Sequence, residues 1–217
     1  MPAIQLALDT RDTQTAVAAA HATRDVVDVI EAGTVLVLHE GLGAVRVLRA
    51  AFPDHPLVAD IRIARAGAKF AALAFDAGAD RVTVVGEAGM HVVEGALSAA
   101  RSAGGEVEVE LGAGWTLDDV GRWVDAGVRH VIAHRSGNGL LRDDDEIART
   151  LEQLASIDLG PAQVTLAGGI DAGDLAETRL PFDTVAIGSA IVGAADPRAA
   201  ASAFRAELAR AREVRVA

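Results

Sequence analysis

Short apolar, β-branched runs alternate along this chain with longer segments in which apolar positions recur at helical spacing, the pattern of βα units that build a parallel sheet. Eight runs read as strands: Ile4 to Leu8, Val27 to Ala32, Leu57 to Ile61, Arg81 to Val85, Glu106 to Leu111, His130 to His134, Gln163 to Ala167 and Thr184 to Ile187. Each is near-continuously apolar apart from its ends, except the fifth, which alternates. Helical spacing falls on Asp12 to Ala22, Gly43 to Phe52, Ala64 to Ala77, Gly89 to Ala103, Thr116 to Ala126, Asp143 to Leu154, a short Ala172 to Glu177, and Asp196 to Arg212. Thr116 with Asp119 resembles a capping box, and Gly78, Gly104 and Gly127 stand where helices end in a left-handed residue. The charge run Arg142 to Glu146 reads as the first turn of a helix. No linker-like or low-complexity tract divides the chain, so one domain over residues 1–217 is expected. A doubly wound open sheet is the rival architecture. Eight units and glycine-rich final loops favour an α/β fold of the single (β/α)8 TIM barrel type.

Composition narrows the chemistry. The chain has 217 residues, 51% of them hydrophobic, yet no apolar run approaches the ~20 residues that cross a bilayer. Met1 to Asp9 lacks a basic start and a cleavage signature, so a soluble, cytoplasmic protein with no membrane partner is expected. The absence of cysteine excludes thiolate catalysis and cysteine-type structural zinc. A formal charge of -11 repels a nucleic-acid backbone. If the partner is a small anionic metabolite, the overall field does not steer it in, so local arginines, backbone amides or a metal must hold it. The single lysine, Lys69, falls inside a predicted helix, which suits a solvated surface role better than Schiff-base chemistry.

In barrels of this kind chemistry gathers at the C-terminal ends of the strands. Asp9 follows the first strand, Glu31 closes the second, and Asp60 closes the third with Arg62 and Arg65 just beyond. Glu110 closes the fifth, and His134 with Arg135 closes the sixth. Each has a structural alternative: Asp9 capping the first helix, Glu31 and Glu110 as buried partners of arginines, His134 as a satisfied strand-end histidine. Together, however, they converge on one mouth, where several carboxylates repel unless a cation or substrate neutralises them. Magnesium between Glu31 and Asp60 answers that repulsion, since it takes one or two carboxylates and completes its shell with waters and substrate oxygens. Two glycine-rich segments, Ala167-Gly168-Gly169-Ile170 and Ile187-Gly188-Ser189-Ala190, are each either a tight turn or a phosphate cradle of backbone N–H groups and a following helix start. Their place in the last two loops favours phosphate.

These residues, in this order, resemble the orotidine 5'-phosphate decarboxylase superfamily, and within it the branch of 3-keto-L-gulonate 6-phosphate decarboxylase and 3-hexulose 6-phosphate synthase. The resemblance runs nearly end to end. It is carried by Ala7-Leu8-Asp9, Glu31-Ala32-Gly33-Thr34, Phe52-Pro53-Asp54, Val58-Ala59-Asp60-Ile61-Arg62, Ala66-Gly67, Gly78-Ala79-Asp80 with Val82-Thr83-Val84, Glu110-Leu111 and His134-Arg135-Ser136. It implies a homodimer with active sites at the interface and a magnesium-organised cis-enediolate on a sugar phosphate. Glu31 and Asp60 would be metal-linked, Asp9 and Glu110 would orient substrate or neighbouring groups, and His134 would handle a proton. Helix Ala64 to Ala77, rich in alanine, suits packing against a second subunit or within the monomer.

The chain also departs from the family's Asp-x-Lys-x-x-Asp signature, reading Asp60-Ile61-Arg62-Ile63-Ala64-Arg65. Gly137 and Ser189 stand where arginines are usual, and Asn138 where an acid is usual. Over Arg62, Arg65, Gly137 and Ser189, lysine to arginine leaves the charge alone, aspartate to arginine adds two, and two lost arginines remove two, so the sum of these four is unchanged. A rearranged site follows as the expectation, with Arg62 or Arg65 taking over part of the grip on an oxyanion or phosphate. Three readings result: a magnesium-dependent carbon–carbon lyase of the decarboxylase kind, a synthase-type aldolase or epimerase using the same enediolate, and an inactive barrel acting as a binding or scaffold protein.

Overall fold

The computed structural model describes residues 1–135, 144–177 and 181–216. Eight parallel strands, β1 Ala3–Leu8, β2 Val29–Ala32, β3 Leu57–Ile63, β4 Arg81–Val85, β5 Glu106–Glu110, β6 His130–His134, β7 Gln163–Ala167 and β8 Thr184–Ile187, pair in sequence order. β8 returns to β1 through Ala3 opposite Thr184 and Leu6 opposite Ile187, which closes the barrel and excludes the open sheet. Around it run α1 Thr13–Thr23, α2 Thr34–Glu40, α3 Gly43–Ala51, α4 Gly67–Asp76, α5 Met90–Ala103, α6 Leu117–Ala126, α7 Asp144–Ala155, α8 Ala172–Glu177, α9 Ser189–Val192 and α10 Pro197–Val216. No described helix is long and apolar enough to cross a membrane.

Outward-facing strand residues such as Leu6, Ile30, Val82, Val107, Val131 and Val185 are buried against the helix layer and make the main apolar core. Removing that area from water, at roughly 25 cal/mol per Å² of apolar surface, drives closure. Local signals set the helix ends. Asp12 accepts from the Thr15 backbone N–H at 2.7 Å and caps α1, while Thr116 and Asp119 form the expected capping box on α6.

Three local features depart from the expectation. β3 continues to Ile63, and the helix expected from Ala64 begins at Gly67. The reason is a bulge: Ala59 pairs with Val82 but Ile63 with Val84, so β3 carries extra residues against β4 at Asp60, Ile61 and Arg62. Arg62 (φ 44°) and Ala66 (φ 51°) are left-handed, a conformation costing about 1–2 kcal/mol for a residue with a Cβ. Next, α2 fills the second βα loop, where the β-branched run from Thr34 masks a helix whose start is set by tertiary contacts. A Cβ on Gly33 would collide with the Asp9 carboxylate, and that carboxylate accepts from the Val35 N–H at 3.0 Å. Finally, α9 is a single turn, too short to show a period.

The lumen differs from the usual packing of branched aliphatics. In such a barrel the register advances by about one residue per strand, so each layer draws its four side chains from alternate strands. The observed pairings put Gln5, Val58, Glu108 and Thr165 in one layer. Above it lie Glu31, Thr83, Ile132 and Ala186, and above those Ala7, Asp60, Glu110 and Ala167. Below sit Arg81 and His130. Every layer from the middle of the barrel to its mouth thus carries polar groups.

Candidate active site

A cavity of about 330 Å³ opens at the C-terminal ends of the strands. Of the residues expected there, Asp9, Glu31, Asp60, Arg62, Glu110, His134, Gly168, Gly169, Gly188 and Ser189 line it. Arg65 does not: it is exposed, just ahead of the left-handed Ala66. Arg135 does not line it either. Ser136, Gly137 and Asn138 lie outside the described residues.

The floor carries two carboxylates on neighbouring strands. Glu31, 8% exposed, accepts from Gln5 Nε2 at 2.7 Å. Burial, and after it the charge of Asp60, push the Glu31 carboxyl well above its ordinary range, against the Gln5 hydrogen bond. Asp60 is held at both oxygens: the Thr34 hydroxyl donates to Oδ2, and Thr83 Oγ1 donates to Oδ1 at 2.6 Å. The same Thr83 oxygen accepts from the Arg62 backbone N–H at 2.9 Å. One buried hydroxyl therefore bridges the bulge, fixing Asp60 and the left-handed Arg62 together.

Opposite, Arg62 Nη2 donates to Glu110 Oε1 at 2.6 Å. Burial raises the Glu110 carboxyl above its usual value; Arg62 and His134 oppose that and Asp60 adds to it. His134 lines the cavity, is exposed, and makes no hydrogen bond among the described residues. Glu110 does pair with an arginine, as its alternative held, but inside the cavity. Asp9 caps α2 rather than α1.

The two final loops form the remaining wall. Gly168 has φ 94°, and a Cβ there would strike the Arg135 backbone at 2.6 Å. Arg135, 3% exposed, holds this loop from behind: Nε donates to Gly168 O at 3.1 Å, Nη2 to Gly169 O at 2.9 Å, and Nη2 to Asp174 at 2.7 Å. It braces the loop instead of reaching a ligand, because its guanidinium is used on carbonyls and a carboxylate. The helix starts expected to add a dipole are one turn at α9 and six residues at α8, too short for an appreciable macrodipole. Backbone N–H groups and Ser189 are what this wall offers an anion.

Gln5, Thr34 and Thr83 escape a reading of the sequence that attends to strand ends. Thr83 and Gln5 lie mid-strand, and the signal available is a polar residue inside an otherwise apolar run. The alternation of Glu106, Glu108 and Glu110 is such a signal. Among the described residues no group of three or more histidines, cysteines and acids forms a metal cluster. The Glu31–Asp60 pair still fits a hard cation that takes two protein carboxylates, since burial and the neighbouring Asp60 charge both oppose ionisation of Glu31.

The model of the orotidine 5'-phosphate decarboxylase / HUMPS family matches residues 2–204 of this chain. A 3-keto-L-gulonate-6-phosphate decarboxylase of Escherichia coli K12, SgbH, is 38% identical over 212 residues, covering 95% of this chain and 94% of that protein. Among solved structures, the 3-keto-L-gulonate-6-phosphate decarboxylase of Vibrio cholerae superposes with a TM-score of 0.85 at 34% identity, over 96% of this chain and 98% of the other. The 3-hexulose-6-phosphate synthase of Salmonella typhimurium superposes at 0.85 with 30% identity, over 96% and 99% of the two chains.

Proposed function

The chain belongs to the orotidine 5'-phosphate decarboxylase / HUMPS family, and from that premise we propose that it is a carbon–carbon lyase acting on a sugar phosphate by the decarboxylase route, through an enediolate. The observation that carries this reading is the single cavity joining the Gly168-Gly169 and Gly188-Ser189 backbone on one side to Glu31, Asp60, Arg62, Glu110 and His134 on the other. A phosphate at the glycine loops places the opposite end of a short ketose chain over the acidic floor. The relatives named as decarboxylases of 3-keto-L-gulonate 6-phosphate support that substrate class.

Magnesium is the cation this site suits, with Glu31 and Asp60 as its protein ligands; bound there, it supplies positive charge for the developing oxyanion. The chain's own groups do the rest. Thr34 and Thr83 keep Asp60 in place, and Gln5 steadies Glu31. Arg62, always protonated, offers fixed positive charge to the enediolate but moves no proton. When the bond to the carboxylate carbon breaks and carbon dioxide leaves, the electron pair stays on the substrate, and His134 delivers the proton that quenches it. Glu110 orients Arg62 from its buried side.

A homodimer with the site at its interface accords with the exposed apolar residues on α2 and α4, the helices that follow β2 and β3. Leu38 on α2 is 80% exposed and Leu73 on α4 is 45% exposed, with Phe70 nearby and Val35 on the cavity rim. Arg65, exposed just ahead of α4, would then serve a site only across that interface. One barrel domain over 1–217 is proposed as the protomer.

The test is product analysis. With magnesium and 3-keto-L-gulonate 6-phosphate, release of carbon dioxide and appearance of a five-carbon ketose phosphate by NMR are expected, and both should vanish in Glu31→Gln and Asp60→Asn. A fully active Asp60→Asn would remove the metal role. The likeness to 3-hexulose-6-phosphate synthase favours, as second reading, the same enediolate meeting formaldehyde, seen as a six-carbon product from the five-carbon ketose. No turnover and no magnesium binding would leave the scaffold reading.

A further inference from the structure

Four buried side-chain atoms in the lumen have no partner among the described residues: Gln5 Oε1, Glu108 Oε2, His130 Nδ1 and Thr165 Oγ1. Gln5, Glu108 and Thr165 belong to one layer, completed by Val58, immediately beneath the layer of Glu31 and Thr83. In a barrel of this size the four side chains of a layer meet at the axis. Three orphaned oxygens therefore face a common centre at the bottom of the cavity, which Gln5 and Thr165 also line, with His130 one layer below.

Their hydrogen-bonding capacities are complementary to one small molecule. Gln5 commits Nε2 to Glu31 at 2.7 Å, so its carbonyl oxygen is left as an acceptor. Glu108 Oε1 takes Arg81 Nη1 at 3.4 Å, which leaves Oε2 of the ionised carboxylate as a second acceptor. Thr165 Oγ1 brings a hydroxyl proton. Two acceptors and a donor match the two O–H bonds and a lone pair of a water molecule, and a polar enclosure with such partners is where internal water is held.

We propose that the middle layer of the barrel is a built water site, and that the bound water fixes the Gln5 amide with its nitrogen toward Glu31. Glu108 and Thr165 are then positioning residues for Glu31, acting through the water and Gln5. With its carbonyl satisfied from below, Gln5 has one complete orientation; without the water, that oxygen lies beside the Glu108 carboxylate with nothing to accept, and rotation of the amide sets it against Glu31 instead. A monovalent cation fits less well, because it leaves the Thr165 proton unused. The importance of Glu31 comes from the reaction proposed above, whereas the water site stands apart from it.

The test is a crystal structure of the protein at atomic resolution, with a parallel rubidium soak. A spherical peak about 2.6–3.0 Å from Gln5 Oε1, Glu108 Oε2 and Thr165 Oγ1 is expected, with no anomalous signal after the soak. No peak, direct contact between Gln5 and Glu108, or an anomalous peak overturns the site. The variants Thr165→Val and Thr165→Ser separate the second half: Val should lose the peak and turn Gln5 away from Glu31, while Ser keeps both. A Val variant that loses the water yet retains the Gln5–Glu31 bond overturns the positioning role. If Val does not fold, Glu108→Gln examined in the same way takes its place, with the same displacement of Gln5 expected. None of these readouts uses turnover, so an inactive protein would sink the proposed reaction and leave the water site standing.

Discussion

Asp60 has both oxygens engaged before any ligand arrives, and Thr83 supplies one of the two hydrogen bonds while accepting from Arg62. Thr83→Val keeps the shape and removes both interactions, so turnover should fall by tens-fold, about 2 kcal/mol for hydrogen bonds to a charged group. Thr83→Ser should restore most of it, and equal turnover of parent and Val variant would dismiss the hydroxyl as a mere filler. Glu108, one layer lower, makes a pH prediction. Burial pushes its carboxyl up, against Arg81 and His130. The folded chain thus holds that proton to higher pH than the unfolded chain, whose value is near 4.5. This group's contribution is full below that value and is lost as pH rises through the raised folded value. Glu108→Gln has no proton to lose, so it should gain stability relative to the parent as pH rises. Urea midpoints of both proteins at mildly acidic and mildly basic pH will show it, and a pH-independent gap would refute the assignment.

Among the elements, α6 shows local chemistry acting alone. Its capping box joins Thr116 and Asp119 reciprocally, and Thr116→Ala should cost about 1 kcal/mol. For a chain of this size that is a fall of roughly 2–4 °C in Tm by thermal melting, with activity at low temperature unchanged. β3 shows the opposite case. Its apolar run was legible from Leu57 onward, but the bulge that lifts Asp60 and Arg62 toward the cavity depends on β4, where Val82 and Val84 accept its two ends and Thr83 fills the gap. α2 likewise needs Asp9 from another element to start it, so its β-branched residues hid it.

At the scale of the whole molecule, the exposed apolar residues Leu38 on α2 and Phe70 and Leu73 on α4 give the proposed dimer a specific test. Phe70→Asp should shift the protein from dimer to monomer in light scattering and lower turnover with it. A variant that stays dimeric, or a parent that is already a monomer, would move the interface elsewhere. The formal charge of -11 also shapes the molecule's behaviour: the overall field repels an anionic substrate, so on the proposed reading capture depends on Arg62, Ser189 and the glycine-loop amides, and kcat/KM measured over a series of ionic strengths is expected to rise as the repulsion is screened.

By itself the sequence determined the eight βα units, the ends of most strands, the capped α6 and the ten cavity-lining residues named in advance, because periodicity, turn chemistry and the direction of a barrel strand are local or topological facts. Only the tertiary structure decided that Arg135 braces the Gly168 loop, that Arg65 lies outside the single-chain cavity, that Asp9 serves α2, and that Gln5, Thr34, Thr83 and Glu108 belong to the machinery of the lumen. Those assignments depend on which side chains from distant strands share a layer and find each other's hydrogen-bonding groups, and register sets that only once the barrel has closed.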